Sequence, residues 1–465
     1  MEWLSNANSW LNNIVWGIPM LILIVGSGIY LTVRTGWFQF AKFGHAMKNT
    51  IGKITQKQET GKGEITPLQA VTTALAATVG TGNIAGVAGA IALGGPGAVF
   101  WMWVSALFGM ATKYAEVVLS IRFRERNEAG DWVGGPMYYI KNGLGSKWKW
   151  LASLFALFGA LAAFGIGNMT QANTIANSVI NTVADFSGNA IGSETTIRLI
   201  VGVAIALIVG LVVIGGVKRI GSVTEMLVPV MSIIYIVGSL IIVFGNIDRI
   251  GEVFSSIIKG AFNPTAAVGG VVGITIVESM KRGVGRGVFS NEAGLGSAPI
   301  AHAASSEKNP VKQGLYGIFE VFMDTIVICS LTALSILMSG IDIPFGQKVG
   351  ADLSMAAFSS MLGSAGNVIV MIGIVLFAIS TIISWSLYGV RCCEFLLGKW
   401  SIRPYQILFV VFCIVGTTMD LGLAWDIADT LNGLMAIPNL IGVLGLSGLV
   451  FKLTREYLAE LKQKK

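Results

Sequence analysis

Long apolar runs alternate along this chain with short polar stretches, and eleven of the runs are long enough to cross a bilayer. They lie at about 14–33, 67–93, 96–120, 150–182, 196–215, 223–245, 253–280, 313–339, 365–390, 404–420 and 425–451. The pattern predicts an all-α polytopic membrane protein with about 11 transmembrane helices. Between the runs, basic residues collect in alternate connections. Loop 34–65 carries Arg34, Lys42 and Lys48, and loop 121–149 carries Arg122, Arg124 and Arg126. The series continues with Lys218 and Arg219, then with Lys281, Arg282, Arg286, Lys308 and Lys312, and later with Arg391, Lys399 and Arg403. By the positive-inside rule the N-terminus lies outside and the C-terminus in the cytoplasm of a cell-membrane protein.

An odd number of spans divides into one accessory helix and ten others. Spans 67–245 and 253–451 form two sets of five that enter the membrane from opposite sides, which is the arithmetic of a 5+5 inverted repeat. The expected units are therefore 1–65 (accessory helix and a cytoplasmic amphipathic segment), 66–250, 251–452 and a cytoplasmic tail, 453–465. Composition fits this reading. Of 465 residues 54% are apolar and 12% charged, against about 25% charged in soluble domains. The net charge of +7 does not point to nucleic acid, because it sits in the connecting loops. Cys329, Cys392, Cys393 and Cys413 lack metal-ligand spacing, and neither His45 nor His302 neighbours a nucleophile and an acid, so no enzyme is expected. The N-terminus lacks a basic leader, so the run at 14–33 reads as a span rather than a cleaved signal.

One stretch in the second span is poor helix material: Thr78-Val79-Gly80-Thr81-Gly82-Asn83. Glycine costs about 1 kcal/mol relative to alanine inside a helix, and Thr and Asn side chains compete for backbone hydrogen bonds. A membrane helix is interrupted where the loose backbone groups line a protein cavity; otherwise such glycines serve close helix packing. The seventh span carries a second candidate, Gly269-Gly270-Val271-Val272-Gly273-Ile274-Thr275-Ile276-Val277-Glu278. Paired interruptions at corresponding places in two halves point to a binding site. Half-helix N-termini favour a carboxylate, and free carbonyls suit a hard cation, so a zwitterionic amino acid with Na⁺ fits. The candidate substrate residues are Thr72, Thr78, Gly80, Thr81, Gly82 and Asn83 in the first break and Gly273, Ile274, Thr275 and Ile276 in the second.

Asn168 and Gln171, near Phe164, share a helix face and serve either as ligand contacts or as links between helices. Ser380, Thr381 and Ser384 either complete a Na⁺ shell with the first break or bond back to their own helix. Lys113 and Glu116 are three residues apart and are expected to pair locally. Glu320 and Asp324 share a face and are candidates for ion coupling or gating. The run Arg282–Gly296 matches no catalytic or phosphate-binding motif.

Three stretches, Thr78–Gly86, Gly134-Gly135-Pro136-Met137-Tyr138-Tyr139 and Phe289-Ser290-Asn291-Glu292-Ala293-Gly294-Leu295-Gly296-Ser297-Ala298-Pro299, resemble the alanine/glycine:cation symporter family. The resemblance covers nearly the whole chain. It implies a leucine-transporter-type fold and Na⁺-coupled or H⁺-coupled uptake of alanine or glycine by alternating access. By position it implies substrate contact near the two breaks and at Asn168 or Gln171, and Na⁺ near Thr78, Thr81, Ser380 and Thr381. Ile274 and Ile276, with Phe164 and Trp385, are expected to narrow the pocket and to favour alanine and glycine over leucine. The expected partners are the amino acid, the ion and the lipid bilayer, with no nucleic acid and no obligatory protein partner. The rival readings are a transporter of the same fold for another small solute, such as a nucleobase, and a cation channel built around a ring of carbonyls.

Overall fold

The computed structural model describes residues 2–50, 52, 60–61, 63–187, 193–264, 274–419 and 422–463. Nearly all of them are helical. Nine helices among these residues are long and apolar enough to cross a membrane, and a further span is made by Pro67–Thr78 and Thr81–Gly94, bent by 56° at a short break. The bend lies inside the glycine-rich stretch. Its first half begins sharply because Thr66 Oγ1 accepts from the Gln69 N–H at 3.0 Å while Gln69 Oε1 accepts from the Thr66 N–H at 3.1 Å, with Pro67 at the first helical position. This reciprocal cap satisfies two donors that a helix start leaves free.

Of the expected seventh span, 253–280, residues 265–273 lie outside the described residues, and a helix stands on either side of them. Ile250–Phe262 is an amphipathic helix that buries Val253, Ile257, Gly260 and Ala261 and exposes Phe254, Ile258 and Phe262. A separate helix, Ile276–Asn291, starts at Thr275, whose side chain accepts from the Glu278 N–H at 3.1 Å. Gly269 to Gly273, the centre of the expected second interruption, lie outside the described residues.

Ile276–Asn291 presses against the long helix Gly97–Phe123. The approach needs glycines: a Cβ at Gly283 would stand 2.3 Å from the Ala98 carbonyl oxygen, and one at Gly287 would stand 2.1 Å from Ser105 Oγ. Lys281, Arg282 and Arg286 therefore belong to a helix rather than to a cytoplasmic loop. Arg282 packs at Gly94, where the second half-helix ends, whereas Lys308 follows Ser305, which is bridged to Ile65 just before the first half-helix begins. Arg282 and Lys308 accordingly stand at opposite ends of the bundle.

The interior is built on Gly97–Phe123 and Ser364–Leu397, both buried over most of their length. Glu194–Val213 and Gly216–Gly245 form the periphery, with Leu199, Leu207, Leu211, Ile233 and Phe244 facing outward. At one end the chain before the first half-helix is laced to the segment 303–307. Ile65 N–H donates to the Ala304 carbonyl at 3.0 Å and Ser306 N–H to the Ile65 carbonyl at 2.8 Å. Arg124 donates to the carbonyls of Ala303 at 2.9 Å, Ser305 at 2.5 Å and Glu307 at 2.9 Å.

Candidate binding site

The first break is held open by its own side chains and by neighbours. After Thr78 the chain turns through Val79 and Gly80 into a single 3₁₀ turn, Thr81–Asn83. Asn83 Oδ1 accepts from the Gly80 N–H at 2.9 Å, and Asn83 Nδ2 donates to Asp324 Oδ1 at 2.7 Å. Asp324 also accepts from Ser290 Oγ at 3.1 Å and Thr325 Oγ1 at 2.7 Å. One wholly buried carboxylate thus joins the first break, the helix Ile276–Asn291 and the helix that follows Pro310.

The chain segment facing the first break is the one after Asn291. Glu292 adopts a left-handed backbone at φ 54, and Gly294 and Gly296 follow at φ 93 and 82. Helix resumes only at Ala298–His302. Buried backbone needs partners here, and side chains supply them: Gly294 N–H donates to Glu116 Oε1 at 3.0 Å, Asn439 Nδ2 donates to the Gly294 carbonyl at 2.8 Å, and Ala293 N–H donates to Asn291 Oδ1 at 2.9 Å. Ser297 Oγ donates to the Glu292 carboxylate. The run Arg282–Gly296, which matched no catalytic motif, is helix as far as Asn291 and a buried interruption beyond it.

Between the two interruptions lies a small cavity of about 10 Å³, about what one water needs. It is lined by Ala77, Thr78, Gly80, Gly82, Ile166, Gln171, Phe289, Ser290, Glu292, Thr381 and Trp385. Gln171 has a set orientation: Nε2 donates to the Ile166 carbonyl at 3.0 Å, which leaves Oε1 to accept from the Thr81 N–H at 3.3 Å and Thr81 Oγ1 at 3.0 Å. The Ile166 carbonyl belongs to a π-helical turn, Gly165–Met169. Beside the end of the first half-helix, Thr381 Oγ1 donates to the Ala76 carbonyl at 2.9 Å and Ser380 Oγ approaches the same oxygen at 3.3 Å. These are three hard oxygen donors, buried and close together.

Of the residues singled out in the sequence, Thr78, Gly80, Gly82, Gln171, Thr381 and Trp385 line this cavity. Thr81, Asn83 and Ser380 stand one bond behind it. Others are placed elsewhere. Thr72 Oγ1 bonds back to the Leu68 carbonyl at 3.0 Å. Asn168 Nδ2 donates to the Phe409 carbonyl at 2.5 Å and so links two helices. Phe164 packs at tilted angles against Tyr405, Phe409 and Phe412 with ring centroids 4.7, 5.8 and 4.9 Å away. Ile274 is buried outside the cavity, Thr275 caps a helix, and Ile276 is 45% exposed. Phe289, Ser290, Glu292 and Ile166 were not singled out as ligand contacts. Lys113 does not pair with Glu116; its Nζ lies 3.2 Å from Glu320 Oε1 on another helix.

The whole chain, residues 1–465, matches the sodium:alanine symporter family. The chain belongs to that family. The symporter is 46% identical to the sodium/alanine symporter AgcS of Methanococcus maripaludis over 98% of each chain. It is 36% identical to the probable sodium/glutamine symporter GlnT of Bacillus subtilis over 97% of this chain and 90% of that one. Among solved structures it resembles MhsT in complex with L-phenylalanine, with a TM-score of 0.58 at 12% identity, covering 85% of this chain and 99% of that one. The last likeness is one of fold: an all-helical, multi-pass transporter of leucine-transporter type. In this symporter the helices are interrupted at Thr78–Asn83 and Glu292–Ser297.

Proposed function

We propose that this protein imports alanine and glycine together with Na⁺ by alternating access, with the substrate held between the interruptions at Thr78–Asn83 and Glu292–Ser297. The observation that carries the reading is the cavity between the interruptions: polar at Gln171 and Thr381, bounded by freed backbone, and walled by Ile166, Phe289 and Trp385. A carboxylate fits the first interruption once it replaces Gln171 Oε1 as the acceptor for Thr81 N–H and Oγ1. An ammonium group fits the carbonyls and the acceptor oxygens opposite. The Ala76 carbonyl, Ser380 Oγ and Thr381 Oγ1 suit Na⁺, which takes hard oxygen ligands. As it stands the cavity holds about one water, so it must widen to admit even glycine, and the similarity to AgcS supports alanine. Two larger cavities, of about 100 and 160 Å³, adjoin the first, and Phe289 lines all three. Turning that ring opens the site toward the end marked by Arg282, the outer end if the basic loops are cytoplasmic. Domain halves at 66–250 and 251–452 then rock about the site.

Uptake of labelled glycine, alanine and leucine into proteoliposomes, with and without an inward Na⁺ gradient, tests this. Glycine and alanine uptake should be saturable and Na⁺-driven, with leucine far weaker. Na⁺ current without amino-acid uptake would instead identify a channel, and leucine uptake at the rate of alanine would refute the narrow pocket.

A further inference from the structure

Trp385 forms a wall of the cavity and is 1% exposed. What holds it there is a notch in a neighbouring helix. A Cβ built on Gly167 would stand 2.4 Å from both Cβ and Cγ of Trp385, a separation that non-bonded carbon atoms do not reach. Gly167 does not itself line the cavity, so the root of the tryptophan lies between the glycine and the space beyond. The contact involves the first two atoms of the side chain, so no rotamer change at Trp385 relieves it. Gly167 lies in the π-helical turn Gly165–Met169, whose extra residue per turn swings this backbone toward the helix Ser364–Leu397. On the other side of the same turn, a Cβ on Gly165 would stand 2.0 Å from Ala428 Cβ. The turn is therefore pinned against two helices and cannot back away from the tryptophan. Such π-turns recur at functional sites.

We infer that Gly167 is a specificity-determining position: by admitting the root of Trp385 into its notch it sets how far the indole protrudes into the cavity, and so fixes the largest side chain the site accepts. The inference rests on the transport reading above. It assigns the size limit to a residue that touches no substrate. Relieving 2.4 Å to an ordinary carbon contact of about 3.5–4.0 Å moves the indole inward by about 1–1.5 Å, close to the one bond length by which alanine exceeds glycine.

The test compares Na⁺-driven uptake of glycine, alanine and valine by the full-length wild type, Gly167→Ala and Trp385→Phe in proteoliposomes. Gly167→Ala should lower the alanine-to-glycine ratio of kcat/KM by about tenfold, the lower end of what one methylene is worth in a tight apolar pocket, with the change in KM. Trp385→Phe keeps the root in the notch but shortens the wall, and should admit valine. A folded Gly167→Ala with the wild-type ratio would overturn the inference. If that variant does not fold, Trp385→Phe decides: an unchanged size limit overturns the inference and valine uptake supports it. A wild type that takes up no neutral amino acid would fail at the transport reading itself, a result distinct from either of these.

Discussion

The pair Lys113–Glu320 offers the sharpest test of how the interior is held. Both side chains are 0% exposed, with Nζ 3.2 Å from Oε1. The second carboxylate oxygen meets His302 Nε2 at 3.1 Å, and His302 Nδ1 meets Gln313 Nε2 at 2.8 Å. Ser305 Oγ donates to Gln313 Oε1 at 2.9 Å, so the glutamine amide turns its N–H₂ to the imidazole. His302 Nδ1 is then an acceptor and Nε2 carries the proton that Glu320 receives. The histidine is neutral in this arrangement, and Lys113 is the cation that balances the carboxylate. At 3.2 Å two unit charges attract by about 5 kcal/mol with the effective dielectric suited to proteins.

Lys113→Met deletes that attraction and leaves the carboxylate buried, a change that costs about 3–5 kcal/mol. Lys113→Met with Glu320→Met removes both charges and should recover most of the loss, short of about 1 kcal/mol for the bond that His302 no longer makes. Unfolding of the four proteins of this cycle, purified in one detergent at one pH, measures the coupling. A single variant within about 1 kcal/mol of wild type, or a double variant less stable than Lys113→Met, would show that the pair does not neutralise itself in this way.

Two further outcomes follow from named contacts. Thr381→Val removes a hydroxyl beside the Ala76 carbonyl while keeping its volume. The Na⁺ concentration giving half-maximal alanine uptake should rise at least about fivefold, as loss of a buried polar contact implies, and an unmoved Na⁺ curve would take Thr381 out of the ion site. At the surface, Glu64 accepts from the Gly61 N–H at 3.0 Å, Trp132 Nε1 at 3.0 Å and Arg126 at 2.6 Å. Burial pushes its carboxyl up, but these bonds and the Arg126 charge outweigh burial and hold it below the ordinary value. A depressed carboxyl stabilises above its unfolded pKa of about 4.3 and loses that contribution as pH falls further. Glu64→Gln should therefore be less stable than wild type by up to about 1 kcal/mol at pH 6–8, with the difference closing as pH drops through 4. A difference that persists at pH 3 would contradict it.

Much of the architecture was legible in the chain because membrane spans announce themselves by length and apolarity alone. The first interruption was legible too, since Thr78–Asn83 concentrates residues that a helix resists. The centre of the second expected interruption lies outside the described residues, and the interruption at Glu292–Ser297 was missed because caps were not read. Thr275-Ile276-Val277-Glu278 has the spacing of a helix start, and the Thr275 side chain does cap one. Asn291-Glu292-Ala293-Gly294-Leu295-Gly296, with Pro299 after it, has the spacing of a helix end and restart, yet its neighbouring charges suggested a loop. Arg282 and Arg286 lie in a helix that glycines press against Gly97–Phe123, and no hydropathy window sees that arrangement. Nor does periodicity tell Gln171 from Asn168, three residues away on the same face. The extra residue of the π-turn frees the Ile166 carbonyl, which receives Gln171 Nε2 and leaves its Oε1 to Thr81, whereas Asn168 turns to the Phe409 carbonyl.

The lacing of Ile65 to Ala304 and Ser306 joins the two interrupted segments at one end of the molecule. Ile65 stands two residues before the first half-helix, and Ala304 two residues after the short helix Ala298–His302. A displacement of the first half-helix at that end either carries the second segment with it or breaks two backbone hydrogen bonds, each worth about 1 kcal/mol. Arg124 adds its own toll to the second route only if the 303–307 carbonyls move away from it. The bundle thus has a low-cost path in which this end opens as one flap, hinged on a guanidinium, and a costlier one in which the two strands part.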